Sequence, residues 1–251
     1  MSTSGSVRIA AVGDLHCPRF PVTVLQPAFA YVGGRADVLL LCGDLTDHGT
    51  EDEAKLLARE LAAVKIPIVA VLGNHDYEAG KPEAVTAIFK DIGIHVLDGD
   101  SIEIDGVGFA GVKGFAGGFG ERALQPWGEP SIKAFVHEAV GEALKLESAL
   151  AKLRTPLRIA VLHYAPTHTT IEGEPLEIFA FLGSSRLEEP LNRYPVAAAF
   201  HGHAHRGRVE GRTRDGAPVY NVALPLLQTA MPEHPPVFIV ELARPAAEAA
   251  A

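Results

Sequence analysis

At five places in the sequence, side chains able to bind metal or move protons stand just past a short apolar run. Residues 7–12 lead into Gly13-Asp14-Leu15-His16, and residues 37–42 into Gly43-Asp44. Residues 66–72 lead into Gly73-Asn74-His75-Asp76, residues 157–162 into His163, and residues 196–200 into His201-Gly202-His203-Ala204-His205. Taken singly, each has an ordinary explanation. An aspartate after glycine is a common turn or N-cap residue, and a lone strand-end histidine is more often a core or surface residue. Taken together, they form a donor set of oxygen and nitrogen only. Neutral imidazole with carboxylate suits Mn, Fe, Zn, Ni or Co rather than Ca. The lack of thiolate disfavours a closed structural zinc site. His203 and His205, two apart in an extended segment, are expected to face the same way.

The elements that must position these side chains are legible around them. Bounded apolar runs without alternation read as buried strands. Between the second and third runs, residues 51–64 place Leu56, Leu57, Leu61 and Val64 at helical spacing, with Thr50 and Glu53 as a capping box. Residues 82–92 read as the next helix, with Pro82 in its first turn. This strand–helix–strand alternation is α/β, with ligand chemistry at the carboxyl ends of parallel strands. Further on, residues 101–112 read as a hairpin turning at Asp105-Gly106. Residues 131–153 form a long helical pattern and residues 184–193 a short one. Strands are expected at residues 207–212, 217–222 and 237–242. No composition shift marks a boundary, so residues 1–245 are expected to form one domain, with the Ala-rich residues 246–251 a disordered tail.

The order Asp-x-His, Gly-Asp, Gly-Asn-His-Asp, His, Gly-His-x-His resembles the calcineurin-like metallophosphoesterase superfamily. Every signature is present, from Asp14 to His205. The resemblance implies two stacked mixed β-sheets flanked by helices, a four-layer αββα fold, with two metals at the strand ends. By position, it implies that Asp14, His16 and His205 hold one metal and Asn74, His163 and His203 the other, with Asp44 bridging. It implies phosphate-ester hydrolysis by in-line attack of a metal-bridging hydroxide, with His75 protonating the leaving group. Asp76 or the Asp44 region is expected to orient His75. The metals remain open among Mn, Fe, Zn and Ni.

Substrate is less determined. The complete pattern resembles the bacterial cyclic-nucleotide branch, which favours a phosphodiesterase acting on a small diester. Phosphomonoester or phosphoprotein hydrolysis is the alternative, and a metal-binding interaction module without catalysis is a second. A net charge of −9 argues against nucleic acid as partner. No apolar run is long enough to span a bilayer. Cys17 and Cys42 read as small core fillers, and two cysteines make no disulfide framework, which fits a cytoplasmic setting. Homo-oligomerisation stays open. Of the remaining histidines, His201 is expected to point away from the metals, while His48, His95, His137, His168 and His234 read as surface or turn residues, with a place lining the substrate pocket the lesser alternative for His168. Arg206, Arg208, Arg212 and Arg214 read as a solvated face. The Gly- and Phe-rich residues 114–127 are the candidate substrate rim.

Overall fold

The computed structural model describes residues 5–20 and 22–245. The expected tail at 246–251 lies outside them. Eleven strands, seven α-helices and four short 3-10 turns appear among the described residues. The first sheet contains β1 (Ser6–Val12), β2 (Val38–Cys42), β3 (Ile68–Val71), β4 (His95–Val96) and β11 (Phe238–Ala243), in the order β11-β1-β2-β3-β4. The second contains β5 (Asp100–Ile104), β6 (Val107–Gly111), β7 (Leu157–Val161), β8 (Ala198–His201), β9 (Glu210–Arg212) and β10 (Pro218–Asn221), in the order β5-β6-β7-β8-β10-β9. Both are mixed. β1 to β4 run parallel with β11 antiparallel, and β6, β7, β8 and β10 run parallel between antiparallel β5 and β9.

Burial explains the apolar runs. β2 and β3 are buried at every residue, because both faces of the first sheet are covered. One face takes α1 (Val22–Val32), α2 (Glu51–Leu61) and α3 (Pro82–Asp91) through Leu25, Phe29, Leu57, Leu61, Val85 and Phe89. The other meets Phe109, Ile159, Val161 and Phe200 of the second sheet in the same cluster. The alternate residues Ala110, Ala160, Leu162 and Ala199 pack outward, against Leu146, Ala149 and Leu150 of α4 (Pro130–Lys152) and Leu191 of α6 (Glu188–Arg193). The layers are therefore helix, sheet, sheet, helix. The expected capping box forms, with Thr50 accepting from Glu53 N and Glu53 accepting from Thr50 N. The hairpin turns at Asp105 and Gly106 with φ of 48° and 79°, as a primed two-residue turn requires.

Three helices were not legible in the sequence. In α1, Pro27 interrupts the middle and no charged residue marks a polar face. The four residues of α5 (Phe179–Leu182) are too few for a periodic pattern, and α7 (Leu224–Ala230) follows directly on β10 with Pro at its start. Of the expected strands, the one at 207–212 shortens to Glu210–Arg212.

The parallel register brings the chemistry together. Val12 pairs with Leu41, Cys42 with Val71, and Val161 with Phe200, so the strands of each sheet end nearly level. Phe109, fully buried between the sheets, is the largest side chain that β6 contributes to that layer. Phe109→Ala should cost about 3–5 kcal/mol, read as a lowered midpoint in urea unfolding; a shift under about 1 kcal/mol would contradict this packing.

Candidate metal centre

The loops leaving β1 and β2 run side by side. Asp14 N donates to Gly43 O, His16 N to Asp44 O and Cys17 N to Leu45 O, at 2.9–3.0 Å. From the second sheet, Gly202 N donates to His163 O at 3.2 Å, and His203 N donates to both Asp14 oxygens at 3.0 and 2.9 Å. All eight side chains singled out in the sequence meet at this junction. Three groups able to hold a metal ion form there: Asp14, His16 and His205; Asp44, His163 and His203; and His16, Asp44 and His75. The donor atoms within each lie within 4.8 Å of one another. Asn74 joins the second group through Oδ1, 2.9 Å from His163 Nε2. Asp44 stands between groups, with Oδ2 3.7 Å from His16 Nε2 and Oδ1 3.4 Å from His163 Nε2.

The motif glycines exist because this junction has no room for a side chain. A Cβ on Gly73 would sit 2.1 Å from Asp44 Oδ1, and one on Gly202 would sit 2.3 Å from Asp14 Oδ2.

The electrostatics suit cations. Burial, then the charges of Asp14 and Asp76, pushes the Asp44 carboxyl up to about 9. Burial also raises Asp14, but the hydrogen bond from His205 and the nearby His163, His205 and His16 outweigh it, and Asp14 stays ionised. Burial pushes His16 down to about 4 and His163 well below its ordinary value, and it lowers His203. Neutral imidazole is the ligating form. Among the described residues, neither nitrogen of buried His16 has a hydrogen-bond partner. Orphaned buried donors are costly, and a metal on His16 removes that cost. The residues present therefore fit metal binding.

Several expectations need correction. His203 and His205 lie past the end of β8, not in an extended segment, and they diverge: His205 Nε2 meets Asp14 Oδ1 at 3.1 Å, while His203 stands with His163 and Asp44. Asp76 does not orient His75. It is buried and accepts from Gly73 N, Leu45 N, Thr46 N and Thr46 Oγ1, tying the β2 and β3 loops together. His75 Nδ1 is held instead by the Asp47 carbonyl at 2.7 Å, so the Asp44 region supplies that partner. His201 does point away from the metal-binding groups but is fully buried, its Nδ1 donating to Gly202 O and its Nε2 accepting from Thr170 Oγ1, both at 2.7 Å. His168 lines a surface cavity of about 770 Å³ with Phe119, Arg212 and Arg214, to which none of the eight residues contributes. Phe115 packs on Phe135 and Tyr164, whereas Trp127 is exposed.

Asp47 was missed altogether. It is largely buried, with Oδ1 3.2 Å from His16 Nδ1 and 3.0 Å from Arg19. Its signal was a second carboxylate three residues after Asp44, in the same loop.

The family model for calcineurin-like phosphoesterases matches residues 7–207. The chain belongs to this family. A probable glycerophosphodiester phosphodiesterase (GpdQ) from Arcobacter nitrofigilis is 24% identical over 185 residues, covering 68% of this chain and 58% of that protein. A probable cyclic nucleotide phosphodiesterase from Moraxella catarrhalis is 37% identical over 68 residues, 27% of this chain and 21% of that protein. The chain thus spans less than two thirds of either relative. In fold it is similar to the phosphopantetheinyl hydrolase of Mycobacterium tuberculosis, with a TM-score of 0.68 at 15% identity, covering 94% of this chain and 97% of that one. It is also similar to TT1561 of Thermus thermophilus, with a TM-score of 0.57 at 14% identity, covering 88% and 91%.

Gly73→Ala should leave the fold intact by circular dichroism yet lower the metal content of the purified protein, because the new Cβ displaces Asp44; full occupancy would contradict the geometry. The metal-free protein should also show a pH slope. An aspartate with folded pKa about 9 and unfolded value 3.8 keeps its proton only when folded, so stability falls as pH rises through that window. Depressed His16 works oppositely between about 4 and 6.5, lowered His163 and His203 work in the same sense as His16 below 6.5, and raised His205 adds to the fall above it. Chelated protein should therefore melt lower at about pH 9 than at about pH 7, and Asp44→Asn should flatten that slope; an unchanged slope would refute the assignment.

Proposed function

We propose that this protein is a dinuclear-metal-dependent phosphodiesterase acting on a small diester, a cyclic nucleotide being one case. In this reading Asp14, His16 and His205 hold one metal, Asn74, His163 and His203 hold the other, and Asp44 reaches both. The observation that carries it is the position of Asp44, whose two oxygens face His16 on one side and His163 on the other. Only a carboxylate offers two such donors at once. The donor set suits Mn, Fe, Zn or Ni. When bound, such ions supply Lewis acidity toward phosphoryl oxygens and a water acidic enough to attack phosphorus near neutral pH.

The protein's own part is orientation and proton supply. His75 N donates to Asp44 Oδ1 at 2.8 Å, which fixes the residue beside the metal-binding groups. Its Nδ1–H is engaged by the Asp47 carbonyl, so the proton for the departing alkoxide would be a second one, carried on Nε2 of the imidazolium form. The His75 ring stands edge-on to His16 at 4.5 Å, so it lies beside a side chain that would hold a metal.

Two relatives named as phosphodiesterases support the diester preference over the monoester one. The completeness of the donor set, with His75 present, weighs against a module that binds metal without catalysis. The free thiols of buried Cys17 and Cys42 fit a reducing, cytoplasmic setting for residues 1–245 acting as one unit.

With Mn, Fe, Ni or Zn supplied, bis-p-nitrophenyl phosphate should be hydrolysed faster than p-nitrophenyl phosphate. The reverse ratio would point to a monoesterase, and no turnover of either to a non-catalytic module. His75→Ala should keep its metals and lose about 10²–10⁴ in kcat on a diester with a poor leaving group, and much less with p-nitrophenolate. Equal losses on both would sink the proton-donor role.

A further inference from the structure

Of the eight large apolar side chains exposed among the described residues, three fall within six positions: Leu176, Ile178 and Phe181. They belong to the 3-10 turn Leu176–Ile178 and to α5, which follows it directly. This segment is fastened to the metal centre. The Phe181 carbonyl lies 3.2 Å from His203 Nε2. Ala165 N, two residues past His163, donates to Leu182 O at 3.0 Å, and Arg206 N, next to His205, donates to Glu174 Oε1 at 2.7 Å. Gly117 N ties the segment to the loop at 114–127 by donating to Ala180 O at 2.8 Å. Phe179 and Leu182 satisfy the inward side, packing with Ala165, Ile171 and Ala204. Leu176 and Phe181 are left outside, 78% and 59% exposed, with Trp127 of the tied loop at 65%.

An apolar group held open to water at the edge of a polar site calls for an occupant. Leu176, Ile178 and Phe181 are too few for a subunit interface. Of the three only Phe181 is aromatic, and a ring of that kind buries about 150–250 Å², well short of the about 800 Å² that a stable interface needs from each partner. A single substituent of a bound ester is of the right scale, and the Phe181 backbone already touches the ring of His203.

We propose that Phe181 is a specificity-determining residue, part of an apolar lip that takes up an aromatic substituent of the phosphate ester. The inference rests on the phosphodiesterase reading and sharpens it: aryl- or base-bearing diesters are preferred over diesters of small polar alcohols such as glycerol. The gain comes from removing ring surface from water against Phe181 and from offset stacking.

Binding of phenylphosphonate and methylphosphonate to the Mn²⁺-loaded protein, measured by isothermal titration calorimetry, tests it. These probes share the phosphonate and differ only in the substituent. The wild-type protein should bind phenylphosphonate about tenfold more tightly. Phe181→Ala should bring the two affinities within about twofold of each other, mainly by weakening the phenyl compound. Leu176→Ala should move the ratio the same way by less. No phenyl preference in the wild type, or an equal loss for both probes in Phe181→Ala, overturns the lip. So does a dimer in sedimentation that Phe181→Ala dissociates while the phenyl preference persists, since the patch is then a subunit contact. If methylphosphonate binds and bis-p-nitrophenyl phosphate is hydrolysed, any such failure is the lip's alone. If neither probe binds and no diester is hydrolysed, the phosphodiesterase reading fails and the lip with it.

Discussion

The space around the Asp44 carboxylate is the constraint on which the rest of the site depends. It is filled from four directions: by the His75 backbone N–H, the rings of His16 and His163, and the backbone of Gly73. Reaching that density requires the chain to turn sharply after each strand. Asp14, His16, Asp44 and His203 all adopt left-handed backbone conformations, with φ of 57°, 40°, 48° and 69°. Such conformations cost on the order of 1–3 kcal/mol each and persist only where surrounding structure over-determines them. The level ends of β1, β2, β3, β7 and β8, the buried core beneath them and the cross-loop hydrogen bonds supply that support. The core and the site are thus one mechanical problem, in which apolar burial holds polar groups in a crowded geometry they would not adopt alone.

This coupling explains what was legible in the sequence. An apolar run that ends in glycine and then a ligand-type residue encodes both halves at once: the strand that must be buried and the turn that must be tight. Three of the five strand ends show that pattern in full, at Asp14, Asp44 and Asn74, and the eight side chains from all five meet at one junction. The α/β alternation, the capping box at Thr50 and the hairpin at Asp105-Gly106 were readable for the same reason, since each is set by neighbours in sequence.

Contacts decided by the third dimension were not readable. Apart from following Asp44 by three residues, Asp47 carries no sign of its proximity to His16 and Arg19, because those partners come from the loop after a different strand. Asp76 looks like part of a catalytic run, yet it spends its oxygens on four donors of two loops. His201 resembles its neighbours in the His-Gly-His-Ala-His string, but the end of β8 falls between them. It stays in the strand, bonded to Thr170, and His203 turns out. Strand alternation predicted the orientation of His201 and failed for His203 and His205, because alternation stops where the strand stops.

The same backbone also selects which nitrogen each histidine offers. His163 Nδ1 donates to the Cys42 carbonyl at 3.0 Å, which leaves Nε2 facing Asn74 and Asp44. His203 is arranged the other way: Nε2 donates to the Phe181 carbonyl, which leaves Nδ1 as its lone-pair nitrogen. A carbonyl accepts and never donates, so each contact fixes a tautomer as well as an orientation. Two histidines with the same chemistry thus present opposite ring nitrogens, because one leans on a buried strand end and the other on the exposed segment at the mouth. Cys42 is buried at the end of β2 and paired with Val71 of β3. Phe181 sits on a four-residue helix tied down by a few loop hydrogen bonds. Of the two histidines, His203 is therefore the one that a change at the rim reaches directly, through the Phe181 carbonyl.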